Sequence, residues 1–196
     1  VVHYLPSPVD VPPVEGRHPK DDSKILRPAN DDEPFTALAF KIASDRNVEK
    51  VVFVRIYSGV LKSHSVLWNP RTEARERVSR ILRVHANRRE VVDEASTGEI
   101  VVLVGPRDTA TGDTLCPRDQ PVVLESMNFP DPVVFMAIEP RTDREKDDLE
   151  LALKIIQDED PTVEVHEDPD TGQRILSGMG ELHLEILVDR MQREFG

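Results

Sequence analysis

Cysteine is nearly absent: Cys116 stands alone in 196 residues, so no internal disulfide can form. That usage fits a reducing compartment, and a cytoplasmic location is expected. Positive charge is in deficit. Against 37 acidic residues stand 25 basic ones, for a formal net charge of −12 and a pI near 4.9. The field of such a chain repels phosphate, which excludes indiscriminate nucleic-acid binding and confines any RNA contact to a local basic patch. Aromatic residues make up only 5%. Trp68 and Tyr57 are the candidates near such a patch, and both are expected to be packed, so a platform for base stacking is not expected. No apolar run approaches the roughly 20 residues that span a bilayer. Val1-Val2-His3 lacks a charged region followed by an apolar core, so these residues are not expected to form a secretory leader.

Reactive motifs are also missing. No Gly-x-x-x-x-Gly-Lys-Ser/Thr occurs, which excludes the usual loop for wrapping nucleotide phosphates. Thr111-Gly-Asp-Thr114 is too short for one and reads as a turn. The six histidines are scattered, with no His-x-x-x-His pair and no Cys-x-x-Cys, so no metal site is expected. Cys116 has only Arg118 for a nearby positive charge and reads as a buried structural thiol. Glu159 and Asp160, adjacent in sequence, are expected to point apart at a solvated helix end rather than work as an acid pair. No catalytic constellation appears, so these residues are not expected to form an enzyme.

What is present is a strand-rich first part and a mixed second part. Hydrophobic residues at 38% and charged ones at 32% fit a soluble globular chain of one large or two small domains. Seven prolines fall within residues 1–34 (Pro6, Pro8, Pro12, Pro13, Pro19, Pro28 and Pro34), which read as a tail and an extended linker. From Phe35 the pattern has period two. Leu38, Phe40 and Ile42 alternate with Ala39, Lys41 and Ala43, and Val52, Val54 and Ile56 with Phe53, Arg55 and Tyr57. Asp45-Arg-Asn47 supplies the turn between these two strands, and Asn69-Pro-Arg-Thr72 a later one. Residues 75–85 carry both a helical arginine spacing and an even apolar spacing. Turn signals about every ten residues on both sides favour strand. Further strands at 66–68, 99–104 and 122–124 complete a small antiparallel barrel.

Phe129-Pro-Asp-Pro132 marks a boundary. A strand over Val133–Glu139 precedes a helix opened by a Thr142/Glu145 capping box, with Leu149, Ala152, Leu153 and Ile156 as its buried stripe. Asp160-Pro161 ends it. Strands at 162–166 and 174–176 flank a turn at Asp168-Pro-Asp-Thr-Gly172. A second helix then buries Leu184, Leu187, Val188, Met191 and Phe195, with Glu185, Asp189, Gln192 and Arg193 on its wet side. Gly178 and Gly180 before it imply a sharp turn or a close approach. Free N–H groups at that helix start could hold an anion or a partner's carbonyl, with a plain turn into a packed helix as the alternative. The order is βαββα, a ferredoxin-like unit without a last strand.

Ser177-Gly-Met-Gly-Glu-Leu-His-Leu-Glu185, with Asp168-Pro-Asp-Thr-Gly-Gln-Arg174 before it and Val188-Asp-Arg-Met-Gln-Arg-Glu-Phe195 after it, resembles the third domain of translation elongation factor G, the ribosomal translocation GTPase. Phe53-Val-Arg-Ile-Tyr-Ser-Gly-Val-Leu-Lys62, Arg83-Val-His-Ala-Asn87 and Thr111-Gly-Asp-Thr-Leu-Cys116 resemble its second domain, a barrel. Val2-Val-His-Tyr-Leu-Pro-Ser-Pro-Val-Asp10 resembles the link leaving its GTPase domain. The resemblance implies residues 1–33 as the end of the GTPase domain with a linker, 34–128 as the barrel, and 129–196 as a truncated third domain. It also implies that the edge over Val133–Glu139 is partly unpaired.

From the same resemblance follow partners and sites. GTP and Mg would bind in a domain outside these residues, and no cofactor is expected within them. The partners would be small-subunit ribosomal RNA and protein, together with the parent's own GTPase and C-terminal domains. The chain is expected to be a monomer and no membrane is involved. Residues 71–89 hold seven arginines against Glu73 and Glu76, a local net of +5. Arg71, Arg75, Arg77 and Arg80 are the candidates for RNA contact, since guanidinium forks suit phosphate oxygens, with ordinary surface charge as the alternative. Pro132, Thr162, Leu182 and His183 map to the junction with the GTPase domain, beside the pocket where fusidic acid lodges in the family. By position alone, His183 reads equally as a histidine at the margin of its own core. A related translational GTPase, for ribosome protection or recycling, and a free-standing RNA- or protein-binding module remain as alternatives.

Overall fold

The computed structural model describes residues 4–44, 50–86, 88–124, 129–140, 142 and 145–195. The turn expected at Asp45-Arg-Asn47 lies outside them. The chain divides into two compact units, residues 1–127 and 128–196.

Period-two patterning builds the first unit. β3 (Thr36–Ser44) and β4 (Lys50–Ser58) pair antiparallel. Val52, Val54 and Ile56 point inward and are fully buried. β11 (Ile100–Val104) pairs with β4 and with β8 (Arg80–His85), and β9 (Arg88–Val92) pairs with β8. On the other flank β12 (Thr114–Leu115) pairs with β3, giving the order β12-β3-β4-β11-β8-β9.

The sheet closes through the hairpin of β6 (Val66–Asn69) and β7 (Ala74–Arg77). Trp68 N–H donates to Cys116 O at 2.8 Å, and Cys116 N–H returns a bond to Trp68 O at 3.0 Å. At the far side β7 runs into β8 through Val78, whose N–H bonds Ser65 O, and Ser79, whose N–H bonds Val104 O. Residues 75–85 are therefore two strands meeting at a bend. The result is a barrel, which removes the open edges that a flat sheet of these strands would expose. Short β5 (Leu61–Lys62) and β10 (Glu94–Ala95) pair beside it.

The alternation in β3 does not run straight through. Phe40 has no partner on β4, because Ala39 pairs with Val54 and Lys41 with Phe53. This bulge resets the phase. Ala37 and Ala39 face the core before it and Ile42 after it, while Leu38 and Phe40 remain only half-buried.

Residues 14–27 are not the expected extended linker. β1 (Val14–Arg17) and β2 (Lys24–Arg27) form a hairpin, and β1 also pairs with β13 (Val123–Leu124). The prolines permit this because Pro12, Pro13, Pro19 and Pro28 all fall outside the two strands, where no ladder donor is lost. Arg27, largely buried, donates from Nε to Thr36 Oγ1 at 3.3 Å and from Nη2 to Gln120 O at 3.1 Å, fixing the hairpin to the barrel.

The second unit is an α+β unit of order β14 (Val134–Ile138), α1 (Lys146–Glu159), β15 (Glu164–Glu167), β16 (Arg174–Gly178), α2 (Glu181–Phe195). Its sheet has the order β14-β16-β15, antiparallel throughout. Ala152, Leu153 and Ile156 of α1 pack with Leu184, Leu187 and Met191 of α2 against Leu176. Among the described residues β14 has a partner on one side only. α1 starts later than the Thr142 cap implies. Thr142 O accepts from Glu145 N–H, and its hydroxyl meets the Glu145 carboxylate rather than a backbone N–H.

Gly105, with φ +117°, lies where an added Cβ would stand 2.4 Å from Arg77 O. Gly105→Ala is expected to cost the barrel about 2–3 kcal/mol through strain and displacement of that carbonyl. Denaturant unfolding followed by Trp68 fluorescence measures it, and a cost below about 0.5 kcal/mol would contradict the packing described.

Candidate functional sites

Two places gather the residues singled out by sequence, one in each unit. In the barrel, β7 alternates Arg75 and Arg77, both exposed, with Glu76, which is 2% exposed. Glu76 turns toward the loop after β11. Its carboxylate accepts from Arg107 N–H and Asp108 N–H, both at 2.9 Å, and from Thr109 Oγ1 at 2.8 Å. The loop is thereby held along β7, and a cleft of about 620 Å³ opens between them.

The four candidate arginines do not act as one group. Arg71 Nη2 donates to Asp113 Oδ2 at 2.8 Å and to Asp108 O at 3.1 Å, and its Nε also meets the Asp113 carboxylate. Asp113 is itself buried and also receives Asn69 Nδ2 and Ala110 N–H, each at 2.8 Å. Arg71 thus neutralises a buried carboxylate. Arg75 and Arg77 line the cleft, and Arg80 is exposed at the start of β8. Arg83 pairs with Glu99 at 2.7 Å. Sequence reasoning missed Arg107 and Lys50, which line the same cleft, because they are distant in sequence from the arginine cluster. Lys50 Nζ donates to Arg107 O at 3.0 Å. Trp68 is half-buried with the Arg118 guanidinium 5.1 Å from its ring centre, and Tyr57 packs in the same cluster.

In the second unit two of the junction candidates, Thr162 and His183, come together. Leu184 N–H donates to Gly180 O in the first bond of α2, and Gly180 has open space where a Cβ would be. Gly178 is the close approach. A Cβ there would lie 2.8 Å from Leu184 Cδ2 and 3.1 Å from His183 Nδ1. His183 Nδ1 accepts from Met179 N–H at 3.2 Å, so the ring proton sits on Nε2, which donates to Asp160 Oδ2 at 3.1 Å. Asp160 Oδ1 accepts from Thr162 N–H at 2.9 Å and from Thr162 Oγ1 at 2.6 Å.

Burial raises the Asp160 carboxyl, but the two Thr162 bonds and then His183 outweigh it and leave it below its ordinary value. Thr162 and His183 are thus joined through Asp160, a residue that sequence reasoning left at a solvated helix end. Its neighbour Glu159 is the more buried of the two, with its side chain 11% exposed and paired with Arg190 at 2.6 Å. Pro132 stands beside Val133, whose N–H bonds Gly178 O at 2.9 Å. Leu182 takes no part in the cluster and is 69% exposed, one turn from exposed Ile186 and near exposed Met179. The Met179 N–H, expected to be free at the helix start, is taken by the chain's own histidine.

Asp160→Asn is expected to destabilise the second unit by about 1–2 kcal/mol at neutral pH by weakening charged hydrogen bonds. Both α-helices of the described residues lie in that unit, so ellipticity at 222 nm reads it. The folded carboxyl titrates lower than the unfolded one. Its contribution is therefore complete above the ordinary value of 3.8 and is lost as pH falls through the depressed folded value. The gap between variant and parent should close in that acid range, and equal stability at pH 7 would contradict the assignment.

No helix among the described residues is long and apolar enough to cross a membrane. Residues 49–116 match the family model for elongation factor Tu domain 2, and residues 129–196 match that for elongation factor G, domain III. A crystal structure of a protein from Thermus thermophilus is similar over 83% of this chain, with 28% identity and a TM-score of 0.69. The chain spans 24% of that protein's length. A β-barrel of the elongation factor Tu domain 2 family, followed in order by an elongation factor G third domain, makes this chain a segment of the elongation factor G type.

Proposed function

We propose that this chain is the barrel and third-domain portion of a GTPase that moves transfer RNA and messenger RNA through the ribosome. GTP hydrolysis is assigned to residues outside it. The observation that carries the reading is the collinear pair of translation-factor domains. Two features of the geometry support a division of labour. The barrel presents arginines at a cleft, which suits docking on small-subunit ribosomal RNA. The third domain presents exposed Leu182 at the start of a helix pinned by His183 and Asp160, which suits a surface that feels the state of a neighbouring GTPase domain. Such a relay requires two discrete arrangements of the domains, each favoured by one nucleotide state.

Co-sedimentation with purified small ribosomal subunits across a salt series tests the docking role. The chain is expected to pellet with subunits at low salt and to be released as salt rises, because each neutralised phosphate adds up to about 0.9 to the logarithmic slope. Absence from the pellet even at the lowest salt would overturn docking by this part of the protein.

A further inference from the structure

The ring of His183 makes a hydrogen bond at each nitrogen, and the two bonds differ in kind. Nδ1 accepts from Met179 N–H at 3.2 Å, in the turn that leads into α2. Nε2 donates to Asp160 Oδ2 at 3.1 Å, at the end of α1. Only a neutral ring can do both, because a histidinium carries a proton on each nitrogen and has no acceptor. The side chain is 24% exposed, so a proton can reach it from solvent. Acids stand on the elements around it. Asp160 touches the ring, Glu181 and Glu185 flank it on α2, and Glu164 of β15 lies across from Ser177. Asp131 precedes Val133, whose N–H bonds Gly178 O, while Glu159 is already paired with Arg190. The end of β16 and the turn bring only Ser177, Gly178, Met179 and Gly180, none of them charged. The acids favour a charged ring, whereas its place in the first turn of α2 opposes one through the helix dipole.

We infer that His183 is a proton-operated switch for the turn at Gly178-Met179-Gly180. When the ring takes a proton at Nδ1, two donors face each other across the contact with Met179, and that bond is lost. The bond to Asp160 becomes fully charged and strengthens. Protonation therefore tightens the tie between α1 and α2 while it frees the turn before α2. Turning the ring over cannot restore the lost bond, since both nitrogens now donate. The peptide must move instead, and Gly180 leaves it room, with nothing within 4 Å of the place a Cβ would occupy. A Cβ at Gly178 would lie 3.1 Å from Nδ1, so this glycine is what lets the ring approach the turn. Met179 in the turn and Leu182 just after it are 37% and 69% exposed, so the two states present different apolar surfaces. The bearing of that difference on a neighbouring GTPase domain rests on the function proposed above; the switch itself does not. Histidine ordinarily titrates between about pH 5 and 8. Asp160, held below its ordinary value chiefly by its Thr162 bonds against the cost of burial, stays ionised over that range.

The test follows the whole chain by NMR from about pH 8 down to about pH 5. At the high end the ring nitrogens of His183 should show an unprotonated Nδ1 and a protonated Nε2. The Met179 amide should then shift with the same midpoint as the ring. Its hydrogen exchange, corrected for the intrinsic pH dependence, should quicken roughly fivefold to tenfold in the charged form. His183→Gln keeps a donor and an acceptor but cannot titrate, so its Met179 amide should be independent of pH over this range. His166→Gln on β15 should leave the response of the parent unchanged, which separates the switch from a general charge effect. Ellipticity at 222 nm shows whether each variant is folded. Should His183→Gln fail to fold, the tautomer and the Met179 response of the parent decide alone. A protonated Nδ1 at high pH, a Met179 amide indifferent to the midpoint of the ring, or a response that survives in folded His183→Gln would each overturn the inference. None of these readings involves the ribosome, so the proposed function stands or falls separately.

Discussion

Two buried carboxylates hold the barrel's least regular segment in place. Between β11 and β12 the chain runs from Gly105 to Asp113 outside any strand, meeting β3 at Ala39 through Gly112 N–H and Asp113 O. Glu76 takes the amides of Arg107 and Asp108 and the hydroxyl of Thr109, and Asp113 takes Ala110 N–H, Asn69 Nδ2 and the Arg71 guanidinium. A buried charge left without such partners costs several kcal/mol, so each carboxylate enforces the conformation that satisfies it. The wall of the cleft, the return to β12 and hence the seam at Trp68 and Cys116 all follow from those bonds. Hiding Glu76 also removes its charge from the surface, which leaves Asp108 as the acid beside the basic residues that line the cleft.

The third domain ties its helices through a half-buried carboxylate. Asp160 ends α1 and joins Thr162 on one side to His183 of α2 on the other. Arg190 bridges Glu159 across the same two helices, and Glu159 and Glu194 raise its already high affinity for the proton. The helices are thus tied at the edge of their apolar contact as well as through it. Leu182 and Ile186 lie outside the tie and open to solvent. In the relay proposed above, the tie behind these residues would let a displacement pass on rather than be absorbed by the helix.

Much of the fold was legible in the sequence because period-two and helical spacings report burial directly. Val52, Val54 and Ile56 faced the core as their alternation implied, and Leu184, Leu187 and Met191 formed the buried face of α2. The bulge at Phe40 was not legible, since a single extra residue leaves composition unchanged while reversing the phase of everything beyond it. The hairpin of residues 14–27 was obscured by prolines that proved to bracket its strands. At the candidate sites, the arginine run singled out Arg75 and Arg77, and the family resemblance singled out Thr162 and His183. Local spacing could not reveal that Arg71 serves Asp113, that Arg107 lines the same cleft as Arg77, or that Asp160 joins Thr162 to His183. Those pairings span 23 to 42 residues and are set by topology rather than by neighbouring sequence. The buried Glu76 carried a usable signal in hindsight, as an acid between two exposed arginines on a strand must face the interior.

If the inward turn of Glu76 assembles a cationic cleft through which the barrel meets RNA, hydrogen exchange of the chain, alone and bound to small ribosomal subunits, reads it most directly. Binding is expected to slow exchange of the Arg107 and Asp108 amides and of residues 74–80. Glu76→Gln is expected both to speed exchange at those two amides in the free chain and to abolish their added protection. Protection confined to other faces of the barrel, with the amides of residues 105–109 unchanged on binding, would contradict it.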